Sequence, residues 1–268
     1  MDQPNVKKAL LLASVSPVAL VFGGNATNAQ PSSLGMSPVP AYSWTGCYVG
    51  GTVGYAWGRQ HPSERSSNTH TSSCSGVTTT TGMASGPIDS SGGLYGGQGG
   101  CNYQFAPNMV VGVQGDMYGA HIHGTGMDPW NPQTFGSEDG TIGVTTNWIA
   151  SITGRFGFTG FNNMVLFYAK GGVAWDQNTW NLSNSDLFSA LGSVHETRTG
   201  WTTGAGVEWA FAAPWTVFLE WDYYGFHNGS TFSTSTPTTS SVLNTGPQTI
   251  NAVLIGFNYK WGGSVPPP

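Results

Sequence analysis

Read with a period of two, the thirteen residues from Thr249 to Trp261 fall on two unlike faces. Val253, Ile255, Phe257, Tyr259 and Trp261 fall on one face, and Gly256, Asn258 and Lys260 fall on the other. A period of two over this length marks a β-strand that separates two different environments. One side is large and apolar and ends in two aromatics; the other is small and polar. That is the pattern of a strand with lipid outside and a narrow, packed polar interior. Such a strand needs partners, because an open edge in hydrocarbon leaves backbone groups unpaired.

The rest of the chain supplies them. Alternating stretches recur at 44–58, 92–105, 109–120, 146–158, 164–177, 200–211 and 215–226, making eight with 249–261. Each is long enough for a tilted membrane strand, which needs ~9–11 residues. Long connections (59–91, 121–145, 178–199, 227–248) alternate with tight turns (106–108, 159–163, 212–214). Barrels of the outer membrane carry their short turns on the periplasmic side and their long loops outside. The expected fold is therefore all-β: an eight-stranded antiparallel up-and-down transmembrane barrel with four long extracellular loops and short periplasmic turns. The stretch 249–261 must pair with 44–58 to remove the last edge.

Composition supports this and excludes other classes. Charged residues are 8% of the chain and aromatics 13%, whereas a soluble domain carries about 25% charged residues. A water-soluble barrel with the polar faces outside would need far more charge than these faces hold. Lys7 and Lys8 precede an apolar run from Ala9 to Phe22, with Thr27-Asn28-Ala29 as a cleavage candidate and Gly24-Asn25-Ala26 as the alternative. This reads as a secretory signal, too short to span a membrane as a helix. Removing Lys7, Lys8 and Asp2 with the first 29 residues leaves 6 basic and 12 acidic side chains, net −6, which argues against nucleic acid as a partner. The organisation expected is a signal peptide over 1–29, a flexible periplasmic lead over 30–43, the barrel over 44–261 and a short Pro-rich tail over 262–268. The Ser/Thr-rich parts of the long loops, 71–81 and 230–241, read as mobile surface segments.

The two faces stay distinct from strand to strand. Every charged residue in the stretches shares the small, polar side, and mid-strand positions bring several to similar depth. Asp116, Arg155, Lys170, Glu208, Glu220, Asp222 and Lys260 are the candidate lumen ion-pair network. An eight-stranded interior is only wide enough to be filled by side chains, and buried charge is tolerated when paired, so a structural plug is favoured over a selectivity filter. On the apolar face, Trp57, Trp148, Trp175, Trp201, Trp209, Trp215, Tyr259 and Trp261 are the candidate aromatic girdle residues, at the strand ends where interfacial belts sit.

The stretch Tyr42-Ser43-Trp44-Thr45-Gly46-Cys47-Tyr48-Val49-Gly50-Gly51 resembles the opening of the porin-family surface antigens, small eight-stranded barrels of Gram-negative bacteria. The resemblance continues at Gly54-Tyr55-Ala56-Trp57-Gly58, Gly112-Val113-Gln114-Gly115-Asp116, Gly154-Arg155-Phe156-Gly157, Gly204-Ala205-Gly206-Val207-Glu208 and Gly256-Phe257-Asn258-Tyr259-Lys260-Trp261. It implies an outer-membrane barrel and names no transported substrate. Three features depart from that family: Cys47 and Cys101 stand where aromatics are expected, Leu254 where a lumen-facing Arg is common, and seven residues follow Trp261. The terminal aromatic resembles the signal read by the barrel-assembly machinery. That machinery, outer-membrane lipids and lipopolysaccharide are the expected partners of a monomeric chain.

Other chemistry is sparse. Cys47 and Cys101 have apolar-face parity near the periplasmic ends of adjacent strands, and a pairing sum of 148 would set them opposite as a candidate disulfide; two small apolar residues in lipid is the alternative. Cys74 is then the odd cysteine, in the first long loop. The histidines (His61, His70, His121, His123, His195, His227) all lie on the loop side. Some members of the resembled family bind haem, but no spacing here specifies a metal or cofactor site, and none is expected. An enzyme such as a lipid A-modifying hydrolase would need Ser, His and an acid grouped on the outer face or rim. Ser151 and Thr153 have inward parity and no His lies at mid-strand, so no catalytic residues are assigned. The surface role divides between passive antigen display and ligand capture by the loops, by haem binding or adhesion.

Overall fold

A computed structural model describes residues 42–72, 76–127, 141–183, 193–227, 229–235 and 239–262. The expected signal peptide, most of the periplasmic lead, Cys74 and all but the first residue of the tail lie outside the described residues.

Among the described residues twelve strands form in chain order: β1 (Gly46–Gln60), β2 (Ser63–Ser72), β3 (Gly76–Ser85), β4 (Ile88–Ala106), β5 (Met109–Met127), β6 (Thr141–Gly160), β7 (Val165–Ser183), β8 (Ser193–Ala212), β9 (Trp215–Phe226), β10 (Thr231–Ser235), β11 (Thr239–Asn244) and β12 (Gln248–Trp261). Eight of them, in the order β1-β12-β9-β8-β7-β6-β5-β4, close into an antiparallel barrel. The last strand pairs with the first from Cys47↔Trp261 to Gln60↔Gln248, which removes the edge that a lone amphipathic strand would expose.

The alternation of the sequence becomes the alternation of the wall. Val253, Ile255, Phe257, Tyr259 and Trp261 point outward, while Leu254, Asn258 and Lys260 are buried inside. Inner positions must make room for side chains from neighbouring strands, and glycine does this where rings cross. A Cβ at Gly100 would lie 2.7 Å from the Tyr48 hydroxyl, and one at Gly206 would lie 2.5 Å from the Tyr168 ring. On β6 the side that faces inward changes at an irregularity between Thr146 and Trp148: Thr146 is buried above it and Ile149, Ser151 and Thr153 below it. One extra residue in a ladder shifts the face of everything beyond it.

Three features differ from the expectation. First, strands β5 to β8 run 19 or 20 residues, so residues 121–127 and 141–145 of one expected connection, and 178–183 and 193–199 of another, are strand. Hydrocarbon needs only ~9–11 residues of each, and the upper halves continue beyond it. Second, the connections 59–91 and 227–248 contain β2, β3, β10 and β11, which form a four-stranded sheet in the order β10-β11-β2-β3. Third, β1 begins at Gly46, and Trp44 is not part of it. Trp44 is fully buried and donates from Nε1 to the Asn163 carbonyl at 2.9 Å. Asn163 closes a turn in which Phe161, Asn162 and Asn163 all have positive φ, and its side chain also donates to the Tyr42 carbonyl. Tyr42 and Ser43, expected in a flexible lead, are thus fastened beneath the barrel.

Candidate functional site: the filled lumen

The interior is a stack of layers. At the periplasmic end Trp44 packs with Val110, Leu166, Tyr168 and Ala210, and Tyr42 packs against them. Lys260 belongs here rather than to the expected ion-pair network. Its Nζ donates to the Ser43 carbonyl and lies 4.8 Å from the Tyr42 ring centroid and 5.6 Å from that of Trp44. It stands too near the end of β12 to reach the mid-strand carboxylates, so two ring faces and a carbonyl serve the ammonium instead.

Above this lies a closed ring of hydrogen bonds. Arg155 Nη2 meets Glu208 Oε2 at 3.0 Å, and Arg155 Nη1 donates to the Tyr48 hydroxyl at 2.6 Å. Tyr48 donates to Gln114 Oε1 at 2.7 Å, and Gln114 Nε2 donates to Gln98 Oε1 at 3.3 Å. Gln98 Nε2 donates to Asn258 Oδ1 at 2.9 Å, and Asn258 Nδ2 returns to Glu208 Oε1 at 2.9 Å. The circuit visits β6, β1, β5, β4, β12 and β8, crossing the lumen from wall to wall. The Arg155 guanidinium also lies over the Tyr168 ring, 3.7 Å from its centroid.

A second cluster joins the first. Lys170 Nζ is 2.7 Å from Glu220 Oε1, 2.9 Å from Asp222 Oδ2 and 3.4 Å from Asp116 Oδ2. Asp116 Oδ1 accepts from Gln114 at 2.7 Å, and the Tyr168 hydroxyl donates to Glu220 Oε2 at 2.7 Å. The structure therefore brings together Asp116, Arg155, Lys170, Glu208, Glu220 and Asp222, all buried.

Next comes an apolar layer that includes Ala56, Leu94, Ile122, Ile149, Ala174, Phe226, Ile250 and Leu254. Leu254, which replaces the arginine expected from the resemblance, is completely buried in it. Over it lies a further polar layer, of which the alternation of the sequence places only Asp176. Arg198 Nη2 pairs with Asp176 Oδ2 at 3.0 Å and donates to Gln248 Oε1. Glu196 Oε2 accepts from Trp180 Nε1 at 3.2 Å, and its Oε1 accepts from the Ser230 amide at 2.6 Å. The usable signal was parity: Glu196 and Arg198 continue the even, inward positions of Thr202, Gly204, Gly206 and Glu208 past the end of the apolar pattern.

On the outer wall Trp57, Trp201, Trp209, Trp215, Tyr259 and Trp261 face outward, and Trp148 and Trp175 are half-buried. Cys47 and Cys101 are directly opposed in the β1–β4 register and joined as a disulfide with Cα atoms 3.9 Å apart. At the opposite rim Arg59 and Asp89 are cross-strand partners at 2.7 Å. The hydrogen bond from Arg59 lowers the Asp89 carboxyl below its ordinary range. Four histidines are scattered and outward: His121 stacks on Tyr95, His123 meets Thr145 at 3.0 Å, His195 meets Thr179 at 3.0 Å and His227 stacks on Trp201.

The family model described as outer membrane protein beta-barrel domain matches residues 18–260. The 31 kDa outer-membrane immunogenic protein of Brucella melitensis is 27% identical over 259 residues, covering 95% of this chain and 100% of that protein. The 25 kDa outer-membrane immunogenic protein of Brucella canis is 26% identical, covering 95% of this chain and 98% of that one. Among solved structures, the outer membrane protein OprG from Pseudomonas aeruginosa is similar over 83% of this chain and 99% of its own, at 14% identity and a TM-score of 0.37. With a closed eight-stranded wall, outward aromatic ends and a family match over nearly its whole length, this chain belongs to the outer membrane protein beta-barrel domain family and resides in the bacterial outer membrane.

Proposed function

We propose that the chain is a sealed, non-enzymatic wall element and surface antigen of the outer membrane, with at most weak passive permeation of small solutes. The observation that carries this reading is the ring from Arg155 through Tyr48, Gln114, Gln98 and Asn258 to Glu208, which fills the cross-section with bonded side chains. A solute would have to break several buried bonds at once, each costing about 1–3 kcal/mol or more when charged. The apolar layer around Leu254 and Phe226 adds a second barrier of different chemistry. Outward tryptophans supply the contact with outer-membrane lipid and lipopolysaccharide, and the terminal Trp261 supplies the mark for the assembly machinery. A barrel complete in one chain is competent as a monomer. The name shared by the Brucella relatives supports surface display. The test is planar-bilayer recording of refolded full-length protein. We expect no steady channel events above the lipid baseline; frequent, uniform open events overturn the reading.

A further inference from the structure

The outer sheet repeats the order of the barrel beneath it. Barrel neighbours β9-β12-β1-β4 lead directly into β10-β11-β2-β3. β3 lies at one margin of that sheet. It pairs with β2 through ten successive positions, Ser63↔Ser85 to Ser72↔Gly76, and has no strand on its other side among the described residues. Along such a margin alternate backbone N–H and C=O groups face away from the sheet and form a template for another strand.

Proteins usually blunt these margins with charge, proline, bulges or short length. The margin at β10 is five residues long. The upper part of β8, unpaired by β9 beyond Trp201↔Gly225, carries Glu196 and Arg198 pointing inward. β3 has none of these protections. Its sequence, Gly-Val-Thr-Thr-Thr-Thr-Gly-Met-Ala-Ser, contains no charge and no proline, and β-branched threonine favours strands.

We propose that β3 pairs antiparallel with β3 of a second copy, fusing two four-stranded sheets into one. The sequence is complementary to itself in that arrangement. Centring the pairing on Thr80 sets Thr80 opposite its own copy, Thr79 opposite Thr81 and Val77 opposite Met83, so that residues of equal parity meet as an antiparallel ladder requires. Threonine pairs across antiparallel strands are favourable, and no like charges meet. The chain is acidic overall, so two copies repel elsewhere and approach at least cost along this neutral margin.

Direction decides where the second copy sits. β3 runs into β4 and hence toward its own membrane. An antiparallel partner runs the other way, so its barrel lies in a facing membrane rather than beside the first. This rests on the assignment of the long connections to the cell exterior. The predicted activity is homophilic tethering of two outer-membrane surfaces.

The experiment uses the full-length barrel refolded into phosphatidylcholine vesicles and reads clustering by light scattering. Wild-type vesicles should cluster. Vesicles bearing Thr79→Lys with Thr81→Lys should stay dispersed, as should those bearing Thr79→Glu with Thr81→Glu. Mixing the two variant populations should restore clustering, since each Lys then meets a Glu, and heat-modifiable mobility should show both variants folded. Dispersed wild-type vesicles, or variants that fail to rescue one another, overturn the proposal. Energy transfer between labelled copies within single unclustered vesicles overturns the facing-membrane geometry. Clustering vesicles that also conduct ions would sink the sealed-lumen reading alone.

Discussion

Arg155 is held from two directions at once: its Nη2 bonds Glu208 at 3.0 Å while the guanidinium lies 3.7 Å from the Tyr168 ring centroid. Both partners are themselves fixed, Glu208 by Thr216 and Asn258 and Tyr168 by Glu220. Removing one member of such a pair leaves an uncompensated charge among buried neighbours.

Glu208→Ala should therefore destabilise the barrel by roughly 3–5 kcal/mol. The readout is the temperature at which the heat-modifiable band is lost. The double change Arg155→Met with Glu208→Leu should recover part of the loss, because no charge is then stranded. Conductance should remain near baseline in both. A large rise in ion flux without loss of stability would assign Glu208 to gating rather than packing.

The two sides of the wall should respond differently to one added methyl. Gly206→Ala pushes a Cβ into the Tyr168 ring, which is pinned between Arg155 and Glu220. It should cost about 1–3 kcal/mol, the usual range for overpacking. Gly154 faces outward with nothing within 4 Å of an added Cβ, so Gly154→Ala should be neutral. Urea titration of folded fraction in detergent compares them directly, and equal effects would show that interior crowding is not what selects Gly206.

Cys47 and Cys101 link β1 to β4 across 54 positions of sequence. Closing a loop of that length typically contributes about 2–4 kcal/mol through the unfolded state. Cys47→Ser should lower the unfolding midpoint in non-reducing conditions and leave it unchanged relative to wild type under reductant. Peptide mapping without reductant should recover the two cysteines in one linked species; two free thiols in protein matured in the periplasm contradict the bond.

Haem capture is one of the two rival readings of the loops, beside adhesion. The outward histidines engage separate partners on separate strands, whereas haem iron needs an imidazole free to serve as its axial ligand. Titrating refolded protein with haem should leave the Soret band as in buffer. A saturable red shift that His121→Ala or His123→Ala abolishes would establish capture.

Deleting Gly262 to Pro268 should leave assembly intact, whereas Trp261→Ala should slow appearance of the heat-modifiable form. The comparison separates the terminal aromatic from the residues after it. A severe defect on deletion would assign the signal to the tail.

How far the sequence could be read depends on where lipid stops. Period-two alternation is visible only when a strand has two unlike sides, as at Arg155, Lys170 and Glu208 with Phe156, Ala169 and Trp209 between them. Beyond the bilayer both sides of β8 are polar: Ser193, His195, Thr197 and Thr199 outside, Glu196 and Arg198 inside. The contrast vanishes there, and with it the sign of a strand, so Glu196 and Arg198 fall in an expected connection although their layer's Asp176 lies within the alternating stretch 164–177. Trp44 failed for a different reason. Its place under the barrel is set by Asn163, 119 positions away, and no local pattern records that contact. Lys260 shares the parity of the interior charges but not their depth, which depends on register across β12 rather than on its own strand.

The pairing of β11 with β2 runs from Thr239↔Asn68 to Asn244↔Ser63, directly above the β1–β12 seam. Its two strands come from opposite ends of the chain and are brought side by side when that seam closes. The surface made by this pair therefore exists only in the closed molecule. An antibody that binds across Val242 and Arg65, opposed in this register, would recognise closed barrels and ignore unfinished ones, reporting from outside the cell on an event at the junction of the termini.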